Sequence, residues 1–556
     1  MSALHFVLSF LIAGLFSQSA APQETFDVII RGGLVVDGTG ASPRRADVGI
    51  RGDTIAAVGD LSAGNARRTI EASGRVVAPG FIDTHSHSDF TLLVDGRALS
   101  KVTQGVTTEL LGESSSAAPA VGPTRAEMAK SLGEYGLDLD WSTLGEYFQR
   151  LERDRMSVNV LSTVASGQVR AAVVGYDNRP ATGDELRRME ELVDQAMRDG
   201  AMGLSSGLIY SPNRYASTDE LVALAKVAAR HGGFYLTHMR DEADGIVEVG
   251  LSEAIEIGRR ANLPVEILHF KRSGAAGVSP TIQDAVAFIE KAQREGVKVH
   301  ADVYPYAASQ TTLSIRLPDW TLEGGREKML QRLRDPETRR RIRQEIAEKM
   351  AGGIAGYTAE TILFGRTAYE PHRRFQGKRV AEVAREMSVE PAEAIVELID
   401  KAEGSTTAVY FAMREEDVEY ALSRPWAGVG SDGTAVAPEG ILARSHPHPR
   451  WYGTFPRVLA KYVRERKVLS LEQAVYKMTG LAAERMGLRD RGILAAGKKA
   501  DVVVFDAATI ADRSTFENPH QLSTGVEWLL VNGELVLESG RHTGARPGRV
   551  LRRSRT

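Results

Sequence analysis

The sequence predicts an α/β protein: a (β/α)8 TIM-like barrel carrying a small β-sandwich domain formed by both termini. Three observations carry this. Between Pro79 and Met486, short apolar runs of β character alternate with longer amphipathic helical patterns. Both flanks of that region are instead rich in short strands broken by Gly, Asp and Asn. Finally, His85, His87, His238, His269 and Asp432 all follow directly on apolar runs, and the C-terminal ends of strands are where such a barrel presents its chemistry.

Composition narrows the function. The 556 residues carry 69 Lys and Arg against 72 Asp and Glu, a formal net charge of -3, so neither nucleic acid nor an anionic membrane is an expected partner. Hydrophobic residues at 43% and charged residues at 25% describe a folded globular chain. Cysteine is absent, which excludes disulfides, thiolate nucleophiles and Cys metal sites. Any metal falls to His, Asp, Glu or a modified Lys.

Residues 1–21 read as a secretory signal peptide, because the apolar run Phe6 to Phe16 is followed by Ser17, Ser19, Ala20 and Ala21. The run is too short to span a bilayer, so the expectation is a secreted or periplasmic protein with no membrane attachment after cleavage. Residues 24–78 hold the strands Phe26 to Ile30, Leu34 to Val36, Asp47 to Ile50, Thr54 to Val58 and Arg75 to Ala78. Residues 490–550 repeat that texture in Ala500 to Phe505 and Glu527 to Leu537, where Asn532-Gly533 signals a hairpin. Residues 79–489 form the barrel, with strands at Val106 to Leu111, Gly203 to Ser205, Phe234 to Thr237, Val265 to Leu268, Val297 to Val303 and Gly428 to Gly430, and helices such as Thr218 to His231 and Gly245 to Ala261. Gly324 to Met350 breaks the rhythm with a dense Arg, Lys and Glu helical pattern and marks an inserted helical subdomain around 310–362.

Phe81-Ile82-Asp83-Thr84-His85-Ser86-His87 ends a strand with His at i and i+2, so both imidazoles leave one face and can share an ion. Alone this is weak, since histidines also fill cores and surfaces. Its weight comes from company: His238, His269 and Asp432 end further apolar runs, and a bland explanation would have to recur independently at each.

On these residues the chain resembles the amidohydrolase superfamily, and within it the D-aminoacylase (N-acyl-D-amino-acid deacylase) family. Gly80 to His87 matches the superfamily's barrel motif. Gly200 to Leu208, Thr237-His238-Met239-Arg240-Asp241-Glu242, Asp302-Val303-Tyr304-Pro305-Tyr306, Ser431-Asp432-Gly433 and His446-Pro447-His448-Pro449-Arg450 resemble the narrower family. So do Tyr452 to Arg457, Asp490-Arg491-Gly492 and Gly497 to Asp501. The resemblance implies a metal-dependent hydrolase barrel with one or two zinc ions, His85, His87 and Asp432 at one site, His238 and His269 at the other, and a further ligand between them. Where the family has Cys for that ligand, this chain reads Gly112-Glu113-Ser114-Ser115. Glu113 is the better candidate, because a carboxylate is already charged whereas a Ser hydroxyl would have to ionise far below its usual pKa.

The reaction so implied is hydrolysis of the amide of an N-acyl-D-amino acid, a small-molecule substrate, to a D-amino acid and a carboxylate. Zinc activates water, Asp432 is general base and then general acid, and Arg450 resembles the residue that grips the substrate carboxylate. Tyr304 is a candidate second polar contact, and Lys271 a candidate for neutralising an acidic substrate side chain. Two other readings stay open: another amidohydrolase, either a dipeptidase or a cyclic amidase, and a non-catalytic binding protein that kept the barrel. The intact His and Asp set weighs against the last.

Overall fold

In the computed structural model of this chain, residues 25–274, 278–352 and 357–553 are described; segment 1–21, expected to be a signal peptide, lies outside them. Eight parallel strands among the described residues build the barrel: β1 (Phe81–Asp83), β2 (Val106–Leu111), β3 (Asn159–Ser162, continued by Val164–Ala165), β4 (Gly203–Gly207), β5 (Phe234–His238), β6 (Val265–Ile267), β7 (Val299–Val303) and β8 (Ala427–Val429). Each of β1 to β7 pairs in parallel with the next. The ring closes through a parallel bridge between Ser86 and Gly433, supported by the Asp432 N–H donating to the His85 carbonyl at 2.8 Å. Every residue of β2, β4 and β5 is buried, because parallel strands are covered on both faces and so lose the in-out alternation of an exposed sheet. The covering helices start at side-chain caps. Thr182 opens Gly183–Asp199 in a reciprocal capping box with Glu185, and Ser217 caps Thr218–Arg230.

Both ends of the chain build one nine-stranded sheet. Val502–Phe505 from the C-terminal side lies antiparallel to Val76–Pro79 from the N-terminal side and joins the two halves. The first strand, Thr25–Val35, pairs with Asn65–Glu71 along its first half and with Val76–Pro79 at its end. Its register shifts between Ile30 and Gly33, and a Cβ at Gly33 would lie 2.3 Å from Val77 Cγ2. The expected sandwich is therefore one sheet turned on itself, with Ile30, Val48, Ile55, Ile70, Val77, Val502 and Leu530 sharing a core.

The insertion is larger than the 310–362 that composition marked. It runs from Ser309 to Tyr410, between β7 and β8, and adds a three-stranded antiparallel sheet (Ser309–Thr312, Ile362–Thr367, Thr406–Tyr410) to four helices (Gly325–Arg334, Pro336–Ala351, Val380–Met387, Pro391–Lys401). Leu313, Leu333, Ile342, Phe364, Ile395 and Tyr410 belong to its own core. The charge-dense helix pair stands out because it faces solvent. The strands and the last two helices carry ordinary apolar patterns that continue the barrel's rhythm.

Asp501 ties the sheet to the barrel. Its Oδ1 accepts the Asn532 N–H at 2.7 Å, and its Oδ2 accepts Asn159 Nδ2 of β3 at 3.1 Å and pairs with buried Arg491. Asp501→Ala leaves buried Arg491 with only the half-exposed Asp490 as counter-charge and is expected to cost about 1.5–3 kcal/mol of stability. Thermal or urea unfolding reads this directly, and an unchanged midpoint would show that apolar contacts alone hold the two parts together.

Candidate metal centre

His85 and His87 follow β1, Glu113 follows β2, His238 ends β5, His269 follows β6 and Asp432 follows β8. All six therefore meet at the C-terminal mouth of the barrel. At Gly112 the backbone takes φ +89°, and a Cβ there would lie 2.4 Å from the Thr163 carbonyl oxygen; this turn aims Glu113 inward. Ligand atoms of His85, His87 and Glu113 lie within 4.8 Å of one another, as do those of Glu113, His238 and His269, and those of His85, His269 and Asp432. Glu113 belongs to the first two groups, so its carboxylate stands between the His85/His87 pair and the His238/His269 pair.

Both ring nitrogens of His85, Nε2 of His238 and Oε1 of Glu113 are buried without a hydrogen-bond partner among the described residues. Unsatisfied groups of this kind cost about 1–3 kcal/mol each. A cation accepting the lone pairs of one His85 nitrogen, His238 Nε2 and Glu113 Oε1 satisfies those three, with His85 Nδ1 as the N–H that faces Asp302 Oδ1 at 3.5 Å, so the donor set fits one or two metal ions. Burial pushes His85 down to about 3 and His238 well below the usual imidazole range, keeping both in the neutral form that binds metal. His87 differs: burial lowers it, but its hydrogen bond to Asp432 and the charge of Glu113 leave it raised. Burial raises Glu113.

Asp432 is the most connected residue of the site. Its Oδ1 lies 3.1 Å from His87 Nε2 and 3.7 Å from His85 Nε2, and its Oδ2 forms an ion pair with Arg450 Nη2 at 2.9 Å. Burial alone would raise it, but Arg450, His85 and the bond to His87 hold it well below the carboxylate range. Arg450 is itself fixed: its guanidinium carbon sits 4.6 Å from the centroid of the Tyr304 ring, and Nη2 also donates to the Gln310 carbonyl at 3.1 Å. Its backbone N–H donates to His448 Nδ1 at 2.9 Å, and His448 Nε2 faces the Ala308 carbonyl at 3.0 Å. Arg450 Nε and Nη1 have no partner among the described residues, so two donors remain for an anion in the cavity of about 430 Å³ that the site lines.

The structure thus gathers His85, His87, Glu113, His238, His269, Asp432 and Arg450 as the sequence suggested. Two other expectations change. Lys271 reaches the cavity, but its Nζ lies 2.6 Å from Glu242 Oε2 and 3.0 Å from His269 Nδ1, so it is no free charge awaiting an acidic side chain. Tyr304 offers its ring to Arg450, while its hydroxyl turns to Met413 Sδ at 3.4 Å and is not the second polar contact. Ser114, at φ 59° and packed against Gly207, stands beside the cluster without joining it. Sequence reasoning missed Glu242, Asp302 and Lys101. Glu242 Oε1 lies 3.0 Å from His269 Nδ1, and its position four residues after His238 was the available signal. Asp302, pushed by burial up to about 7, accepts the His269 N–H at 2.8 Å and lies 3.5 Å from His85 Nδ1. It orients two ligands from the end of β7.

A cluster of His and carboxylate ligands at the mouth of a (β/α)8 barrel, flanked by a terminal β-domain, defines a metal-dependent hydrolase barrel. The amidohydrolase family profile matches residues 68–537, and the chain belongs to the amidohydrolase family, in its D-aminoacylase branch. It is 38% identical over 535 residues to the N-acyl-D-glutamate deacylase of Alcaligenes xylosoxydans xylosoxydans, covering 96% of this chain and 97% of that one. With the D-aminoacylase of the same organism it shares 36% over 537 residues, 96% and 99% of the two chains. Its fold is similar to the crystal structure of N-acyl-D-glutamate deacylase from Bordetella bronchiseptica complexed with zinc and a phosphonate inhibitor, at a TM-score of 0.81 and 35% identity over 95% of this chain and 100% of that one.

Beneath the ligands, the fully buried Lys101 ammonium lies 2.7 Å from Asp83 Oδ2, 3.5 Å from Glu109 Oε2, 2.9 Å from Ser431 Oγ and 3.1 Å from the Gly433 carbonyl. Lys101→Met leaves two buried carboxylates without a counter-charge and should lower stability by about 3–5 kcal/mol, measured as a fall in the unfolding midpoint. If the midpoint holds, the hydroxyls of Ser86, Ser88 and Ser431 suffice for those carboxylates.

Proposed function

We propose that this protein is a zinc-dependent deacylase that hydrolyses N-acyl-D-amino acids to a D-amino acid and a carboxylate. The observation that carries this reading is the placement of an ionised carboxylate, Asp432, between the ligand cluster and an arginine with two uncommitted donors, all in one cavity. The names of the relatives support it.

His85, His87, Glu113, His238, His269 and Asp432 would hold zinc, which when bound supplies an activated water and polarises the scissile carbonyl. Asp432 takes the proton of the attacking water and returns it to the nitrogen of the leaving amine. Its low pKa keeps it ionised, and its two oxygens are oriented by His87 at Oδ1 and Arg450 at Oδ2. Arg450 receives the substrate carboxylate through a charge-assisted hydrogen bond from Nη1, since Nη2, the nitrogen common to both bidentate edges, is held by Asp432 and Gln310. With the carboxylate held there and the amide beside Asp432, two substituents of the α-carbon are placed, and the cavity wall meets the third; this gives stereoselectivity its physical basis. Lys271, neutralised by Glu242, positions His269. The apolar run from Phe6 to Phe16 supports export of the enzyme.

Paired N-acetyl-D- and N-acetyl-L-amino acids test the reading. The D forms should be hydrolysed, chelation should abolish the activity, and added zinc should restore it. Asp432→Asn should lower kcat at least about 100-fold with KM nearly unchanged. Hydrolysis of the L forms alone, or full activity in metal-free protein, would overturn the proposal.

The same geometry predicts a ranking of two neighbours. Glu113→Gln removes the anion between the two His pairs and should reduce both bound zinc and rate, whereas Ser114→Ala should change little. Metal analysis beside the assay decides it, and the reverse order would move the bridge to Ser114.

A further inference from the structure

The mouth of the barrel opens into a second cavity, larger than the one that holds the ligands. It measures about 640 Å³, and His87, Ser115, Gln310, Thr407, Thr434 and Trp451 wall both spaces. Arg450 and Lys271 wall only the smaller one. A substrate with its carboxylate on Arg450 and its amide at the cluster has two arms left: the α-carbon side chain stays beside Arg450 in the smaller cavity, and the acyl chain, attached to the carbonyl carbon at the cluster, is the arm that continues past His87 into the larger one. We infer, on the basis of the deacylase reading above, that the acyl group is a chain of several carbons ending in a carboxylate, which Arg373 and Arg444 bind.

Size and polarity carry the argument. Pockets of about 300–1,000 Å³ enclose ligands far larger than an acetyl group, so a two-carbon acyl chain leaves most of this space to water. A fatty acyl chain fits the volume but not the walls, since burying charged groups against hydrocarbon strips their hydration without replacing it. The charges on those walls are not all matched. Arg366 pairs with Glu134, Glu127 accepts the Tyr176 hydroxyl, and Asp89, whose Oδ1 is buried without a hydrogen bond among the described residues, is pushed by burial up to about 6. Arg373 and Arg444 line the same cavity without a carboxylate partner among the described residues, and Arg373 Nε is buried with no hydrogen bond. Arg373 comes from the Glu370–Phe375 turn of the insertion, and Arg444 directly follows the Gly440–Ala443 turn after β8. Two uncommitted guanidinium groups facing one cavity match a carboxylate better than any neutral end group.

The test uses the full-length, zinc-loaded enzyme and a D-amino acid that it releases from the N-acetyl form. Its kcat/KM is compared for the N-acetyl, N-glutaryl and N-(5-methylhexanoyl) derivatives, the last placing an isopropyl group where glutaryl has its carboxylate. The glutaryl compound should exceed the methylhexanoyl compound by at least about tenfold, as charge-assisted hydrogen bonds imply. Arg373→Gln with Arg444→Gln should erase that preference while N-acetyl turnover stays within about twofold, which also shows that the variant folds. Hydrolysis of the N-acetyl compound without a glutaryl preference in the wild-type enzyme overturns this inference alone. A preference that survives the double variant removes the two arginines from it, and no hydrolysis of any of the three compounds overturns the deacylase reading as well.

Discussion

Lys101 sits at the seam where the barrel closes, its side chain wholly buried and its ammonium shared among Asp83, Glu109, Ser431 and the Gly433 carbonyl. Those partners belong to β1, to β2 and to the loop after β8, so one cation joins the strands whose ends carry His85, His87, Glu113 and Asp432. In a low-dielectric interior each satisfied member of such a network restricts the others, and here Lys101, Asp83 and Ser431 are all hydrogen-bonded while Glu109 is held through Oε2 by Ser86 and Ser88. Ser431 shows the result. Its N–H and Oγ both donate to Asp83, at 2.8 and 2.5 Å, which leaves the next residue, Asp432, one direction in which to point.

The site also carries strain that this scaffold has to withstand. Ser114, His269 and Asp432 all adopt left-handed backbone conformations, at φ 59°, 38° and 46°, each worth about 1–3 kcal/mol for a residue with a side chain. Gly430 has to be glycine for a related reason, since a Cβ there would lie 2.8 Å from both Asp302 Cγ and His85 Cβ. Ligands set in this way cannot relax toward better partners of their own. Their side chains are held in place by protein partners, His269 by Glu242 and Lys271 and Asp432 by His87 and Arg450, which is the condition under which catalytic groups need least rearrangement.

The insertion between β7 and β8 acts in a different manner. It leaves the ligand cluster untouched but contributes Gln310 and Thr407 to the walls around it and Arg366 and Arg373 to the cavity beyond. Barrels of this class separate chemistry, at the strand ends, from selectivity, in the loops and inserted bodies above them. Here that separation is physical, with one cavity at the ligand cluster and a larger one beyond it.

Much of this was legible in the chain before it folded. Strand ends that deliver His85, His87, His238 and His269 are local patterns, because a strand's two-residue period and the apolar run before each histidine are properties of neighbouring residues. Glu113 could be weighed against Ser114 by the chemistry of two side chains, and the paired β-rich flanks announced a domain made from both termini. What the sequence could not show was partnership across distance. Lys101 meets Ser431 from 330 positions away, and Asp302 meets His269 from 33, and no local pattern distinguishes them from an ordinary buried lysine or aspartate. Lys271 and Tyr304 were placed near the chemistry by their motifs, yet only packing decided that Glu242 would neutralise the one and Met413 would take the hydroxyl of the other. The sequence by itself determined which groups could bind a metal and where along each strand they stand. The tertiary structure decided which of them share a cavity and which charges are left over, because burial and Coulomb interaction depend on separation in space.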